Sequence, residues 1–85
     1  MEKAEKEIGI VSGYFSNVEV AAIKLLGGLK IGDKIRIKGH TTDFETEIKS
    51  MQINNNYVKV AKKGDHIGIK VPDKVRPNDS VFLMK

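Results

Sequence analysis

At 85 residues, with no cysteine, the chain has room for one domain with one modest core, and none for a disulfide framework, a zinc knuckle or a thiol nucleophile. Its net charge of +4, from 15 basic and 11 acidic residues, is compatible with a polyanionic partner and equally with ordinary solubility. No apolar run approaches the roughly 18 residues needed to cross a bilayer, and Met1 to Glu7 lacks a signal-peptide core, so a cytoplasmic protein without membrane contact is expected.

Residues 1–7 read as a flexible tail and 8–85 as a single domain. Ile8 to Phe15 and Val18 to Leu25 are rich in β-branched residues and predict two strands joined by a turn at Ser16-Asn17. Gly27-Gly28 ends the second. Gly32-Asp33 then launches Lys34-Ile35-Arg36-Ile37-Lys38, a strand with isoleucines on one face and cations on the other. After a polar loop from Gly39 to Asp43, Phe44 to Ile53 predicts the next strand. Its apolar residues Ile48 and Met51 have opposite parity, which calls for a β-bulge near Lys49-Ser50. Asn54-Asn55-Asn56 signals a turn and Tyr57 to Ala61 a short strand. A second Gly-Asp corner, Gly64-Asp65, precedes the strand His66 to Val71. Arg76-Pro77-Asn78-Asp79 predicts a type I turn before Ser80 to Leu83. Many short strands, tight turns and no amphipathic helix predict an all-β fold, a small closed or nearly closed antiparallel barrel of six to seven strands.

The residues are poorly suited to catalysis. His40 and His66 sit in or beside polar turns with no second ligand at metal spacing, and the adjacent Thr41, Thr42 and Asp43 supply neither convergence nor an oxyanion hole. Glu45 and Glu47 alternate with Thr46 and Ile48 as a charged outer face would. No phosphate-cradling motif is present. The expectation is a non-enzyme with no catalytic residue, metal or cofactor. What remains is binding: Lys34, Arg36 and Lys38 form a cationic ridge on one strand face, with Lys49 nearby. Tyr14, Phe15 and Tyr57 lie close to turns, where a ring can stack on an unpaired base.

Four pieces in register resemble domain 2 of the translational GTPases. Thr46 to Ile53 looks like the matching strand of elongation factor 1-alpha, and Gly64-Asp65-His66-Ile67-Gly68 like the Gly-Asp-x-Val-Gly turn after it. Leu29 to Ile35 and Val75 to Val81 are similar to the flanking corners. The resemblance, which extends to elongation factor Tu, implies a translation-protein barrel and a contact with the terminal adenosine of tRNA at Gln52. It leaves Gly32, Asp33, Gly64, Asp65 and Gly68 as turn-shaping residues. A second resemblance, carried by Gly13-Tyr14 and by Val71 to Pro77, is to the C-terminal barrel of the collagenase-like peptidases. The function expected from the whole is a translation-associated module binding RNA (tRNA or ribosomal) or a ribonucleoprotein through Lys34, Arg36, Lys38, Lys49, Gln52 and Tyr57. The alternative is a protein-interaction module that serves a GTPase or peptidase-like partner. A monomer is expected, with dimerisation through an open sheet edge as the other arrangement.

Overall fold

The computed structural model describes residues 6–84 and contains only strands and turns. The strands are β1 (Lys6–Phe15), β2 (Val20–Leu25), β3 (Leu29–Lys30), β4 (Lys34–Lys38) and β5 (Asp43–Glu47), then β6 (Met51–Ile53), β7 (Asn56–Tyr57), β8 (Val60–Ala61), β9 (His66–Lys70) and β10 (Ser80–Met84). Eight of them form one antiparallel sheet in the order β5-β4-β10-β1-β2-β9-β6-β7, and β3 pairs with β8 in a separate two-stranded ladder. Residues 1–5 of the expected tail lie outside the described residues, while Lys6 and Glu7 are already in β1, opposite Leu83 and Phe82.

The all-β expectation holds, but the hydrogen-bonded ladder does not close: β5 and β7 end the sheet. The chain itself joins its two ends, because β5 at one end runs into β6 near the other through only Ile48, Lys49 and Ser50. The expected strand Phe44 to Ile53 is therefore two strands with different neighbours, β4 on one side and β9 on the other. The parity conflict between Ile48 and Met51 is resolved by this corner rather than by a bulge within one ladder. Ile48 anchors it, donating its N–H to the Asp33 carbonyl at 2.8 Å and accepting from the Gly32 N–H at 2.9 Å. Tyr57 to Ala61 likewise splits between β7 and β8, in different ladders.

Alternation builds the core. In β4 and β9 the inward residues Ile35, Ile37, Ile67 and Ile69 are buried, and Ile8, Ile23, Leu25, Met51 and Val81 are among those that join the same cluster. Each such side chain contributes about 1.5–3 kcal/mol by leaving water.

Three corners share one construction. In Lys30–Asp33, Lys62–Asp65 and Arg76–Asp79 the fourth N–H donates to the first carbonyl at 3.1, 3.0 and 3.1 Å. The third residue has positive φ: Gly32 at 95°, Gly64 at 92° and Asn78 at 76°. These are type II turns, including the last, where the sequence had suggested type I. Asparagine tolerates the left-handed region, and Pro77 suits the second position of either type. In each, the aspartate Oδ2 accepts the N–H of the first residue, at 3.0 Å for Lys30, 2.8 Å for Lys62 and 2.9 Å for Arg76. Each aspartate is followed by a strand with apolar residues at its second and fourth following positions, so the segments opening β4, β9 and β10 are variants of one local unit.

Candidate functional site

The two halves of the expected binding surface fall in different electrostatic settings. On the β4–β5 hairpin, Lys34, Arg36 and Lys38 stand directly opposite Glu47, Glu45 and Asp43. Cations and carboxylates thus alternate on one outer face, and cross-strand pairs of opposite charge are mutually stabilising. Arg36 reaches diagonally to Asp43 with a two-point contact, Nε to Oδ1 at 2.8 Å and Nη2 to Oδ2 at 3.0 Å. That hydrogen bond is the main reason the Asp43 carboxyl sits below its ordinary pKa; desolvation opposes it, and the nearby charges of Arg36 and Lys38 lower it further by smaller amounts. The cationic ridge is one row of a charge-matched hairpin. Lys49 is exposed in the corner after β5.

Gln52 and Tyr57 belong to a different surface. Because Ala21, Ile23, Ile67, Ile69 and Met51 point inward, alternation turns Ala22, Gly68 and Gln52 outward. The register places Ala22 opposite Gly68, Gly68 opposite Gln52 and Gln52 opposite Tyr57, a continuous row across four strands. Gly68, grouped with the turn glycines from sequence, is mid-strand on this outer face. A Cβ there would come within 3.2 Å of Val20 Cγ1, so the hollow is bounded closely on the β2 side.

Two adjoining depressions follow this row, of about 590 and 250 Å³, sharing Val18, Val20, Gln52 and Gly68. Phe15 lines the first and Tyr57 the second; they are 56% and 74% exposed, and Val18 is 51% exposed. Tyr14, by contrast, packs against the core. The lining includes His66 and Lys70 and no carboxylate. None of the ridge cations lines it. The sequence does carry a signal for this groove: the unit that reads Lys34-Ile35-Arg36-Ile37-Lys38 in β4 reads His66-Ile67-Gly68-Ile69-Lys70 in β9, with glycine where arginine fills the outer face.

The other candidates do not assemble. His40 and Thr41 are exposed in the β4–β5 loop, Thr42 is buried, and its carbonyl accepts the Gly39 N–H at 2.7 Å. Among the described residues no three His, Cys, Asp or Glu side chains are grouped to hold a metal ion. No helix among them is long and apolar enough to cross a membrane.

No family model matches the chain. An uncharacterized protease of Methanocaldococcus jannaschii is 49% identical over 80 residues, covering 93% of this chain and 20% of that protein. A collagenase of Porphyromonas gingivalis is 38% identical over 71 residues, covering 81% of this chain and 20% of that protein. The chain therefore spans about a fifth of the length of the curated relatives it matches. In fold it superposes on the C-terminal domain of a Geobacillus thermoleovorans protein named as a U32 peptidase, with a TM-score of 0.87, full coverage of both chains and 19% identity. The chain is similar to collagenase-like peptidases.

These likenesses overturn the expectation of a translation-associated module that binds RNA or a ribonucleoprotein. They point to a peptidase-family module, and the likeness to elongation factors finds no support among them. The role given to Gln52, contact with a terminal adenosine, rested on that likeness alone. The physical reason the residues misled is local. A row of lysine and arginine two residues apart looks like a phosphate-binding ridge until the partner strand supplies its acids.

Proposed function

We propose that this chain is a polypeptide-handling accessory module of a collagenase-like peptidase: it holds a segment of chain while cleavage is carried out by residues outside this domain. The observation that carries the reading is the 49% identity over nearly the whole chain to a protease of which it matches only a fifth. A unit that small within a longer protease leaves ample sequence for a catalytic part. The scattered His40, His66 and carboxylates favour a domain with no cleavage chemistry of its own. A cytoplasmic setting and a monomeric state belong to the same proposal.

Incubation of the purified chain with fluorescein-labelled gelatin or casein tests it. The expected result is retention of labelled polypeptide on immobilised domain with no new N-termini by mass spectrometry. Release of fragments by the chain alone overturns the accessory reading, and failure to retain any polypeptide overturns the handling role.

A further inference from the structure

We infer that the groove over Gly68 binds an extended acidic segment of the substrate polypeptide, one that places a carboxylate beside an apolar or aromatic side chain. This deepens the polypeptide-handling reading and rests on it. Three features of the molecule converge here.

The first is charge. On the β4–β5 hairpin every outer cation faces an acid across the ladder. On β9 the equivalent positions are treated differently: Lys70 stands opposite Val20, and His66 opposite Lys24. Neither Lys24 nor Lys70 forms an ion pair among the described residues, and no carboxylate lines the groove. Among the described residues no acid faces these cations across the β2–β9 ladder or lines the groove, which makes an anionic occupant the complementary one.

The second is shape. Where β4 carries Arg36 and β10 carries Phe82 at the middle outer position, β9 carries Gly68. The missing side chain leaves a hollow between Val20 and Gln52, part of the two depressions of about 590 and 250 Å³. The row from Ala22 to Tyr57 crosses four strands, about 14 Å at the usual strand spacing, which matches roughly four residues of extended peptide.

The third is the kind of surface exposed. Phe15, Val18 and Tyr57 present apolar area to solvent around the hollow instead of joining the core. Apolar side chains exposed together around a concave surface mark a contact site more often than isolated ones do. Gln52 and the Tyr57 hydroxyl add polar groups that can bond a peptide backbone. An occupant with a carboxylate for Lys70, which lines the groove, and an apolar side chain for the hollow satisfies all three; Lys24, opposite His66 at the other end of the ladder, adds positive charge beyond the row.

The test is a ¹H–¹⁵N NMR titration of the whole chain with acetyl-Glu-Phe-Glu-Leu-amide, with acetyl-Lys-Phe-Lys-Leu-amide and an eight-nucleotide oligouridine as comparators. The expected result is saturable shifts confined to Phe15, Val20–Lys24, His66–Lys70, Gln52 and Tyr57 with the acidic peptide, and at least tenfold weaker binding of the basic one. Lys70→Glu, an exposed change on the groove wall, should weaken the acidic peptide at least tenfold while leaving the remaining spectrum in place. Tyr57→Ala, at the far end, should weaken it several-fold. Absence of shifts at 5 mM peptide, shifts elsewhere on the domain, equal binding of both peptides, or preferential binding of the oligouridine each overturns the inference. Peptide binding in the groove by a chain that itself cleaves gelatin would instead overturn the accessory reading and leave the groove assignment standing.

Discussion

Removing the Asp79 carboxylate probes the corner construction at its most buried member. Asp79 is 4% exposed, and its Oδ2 accepts the Arg76 N–H at 2.9 Å. A Cβ added to Gly39 would collide with this carboxylate, so a glycine on the neighbouring hairpin loop leaves the space in which Asp79 sits. A hydrogen bond to a charged group contributes about 1.5–3 kcal/mol, so Asp79→Ala is expected to cost about 2 kcal/mol. Gly39→Ala is expected to cost about the same, because the new methyl group displaces the carboxylate from its donor. In a domain of this size 1 kcal/mol corresponds to roughly 4–8 °C in Tm, so each single variant should melt roughly 8–16 °C lower. The decisive measurement is the double variant in a thermal unfolding series followed by circular dichroism. Once the carboxylate is gone the methyl group has nothing to displace, so the double variant should resemble Asp79→Ala alone, with a coupling of about 2 kcal/mol. Gly13→Ala, with nothing within 4 Å of the new Cβ, is the control and should be near neutral. Additive losses in the double variant, or a Gly39→Ala protein as stable as the parent, would show that Gly39 and the Asp79 carboxylate do not share this space.

The type II assignment of the last corner predicts that Asn78→Ala costs about 1–2 kcal/mol, because φ of 76° strains an L side chain, whereas Asn78→Gly is close to neutral; urea unfolding of the two variants separates these outcomes. The Arg36 hydrogen bond predicts that Asp43 titrates below its ordinary value of 3.8, and that Arg36→Met returns its midpoint upward in a side-chain carboxyl NMR titration. A depressed folded pKa stabilises the fold above the unfolded value and loses that contribution as pH falls through the folded one, so the loss is confined to pH below about 4. Asp43 is 51% exposed, and the effect on unfolding should be small.

How far the sequence could be read depended on whether a signal was local. The alternation Lys34-Ile35-Arg36-Ile37-Lys38 and the two Gly-Asp corners specify strand and turn within a few residues, and the observed β4, β9 and their turns begin where that pattern places them. The corner at Ile48 to Ser50 announced itself as a parity conflict, but its resolution needed the knowledge that β5 and β6 serve different neighbours. The third corner, with Asn78 in place of glycine, hid the shared construction because asparagine fits either turn type.

The surface was less legible for the same reason. Whether Lys34 or Lys70 is a free cation depends on the residue across the ladder, Glu47 in one case and Val20 in the other, and that pairing is a property of register. Phe15 is exposed while Tyr14, adjacent in sequence, packs half-buried against the core, because the two occupy opposite sides of β1.

Domain exchange is the sharpest test of a polypeptide-handling role in a collagenase-like peptidase. In the Methanocaldococcus jannaschii protease that is 49% identical over 80 residues, the matching segment is deleted, or replaced by this chain, and cleavage of a long denatured polypeptide is compared with that of a short peptide. Deletion is expected to lower cleavage of the long substrate at least tenfold relative to the short one, and this chain is expected to restore it. Equal loss on both substrates, or a replacement no better than the deletion, would contradict that role.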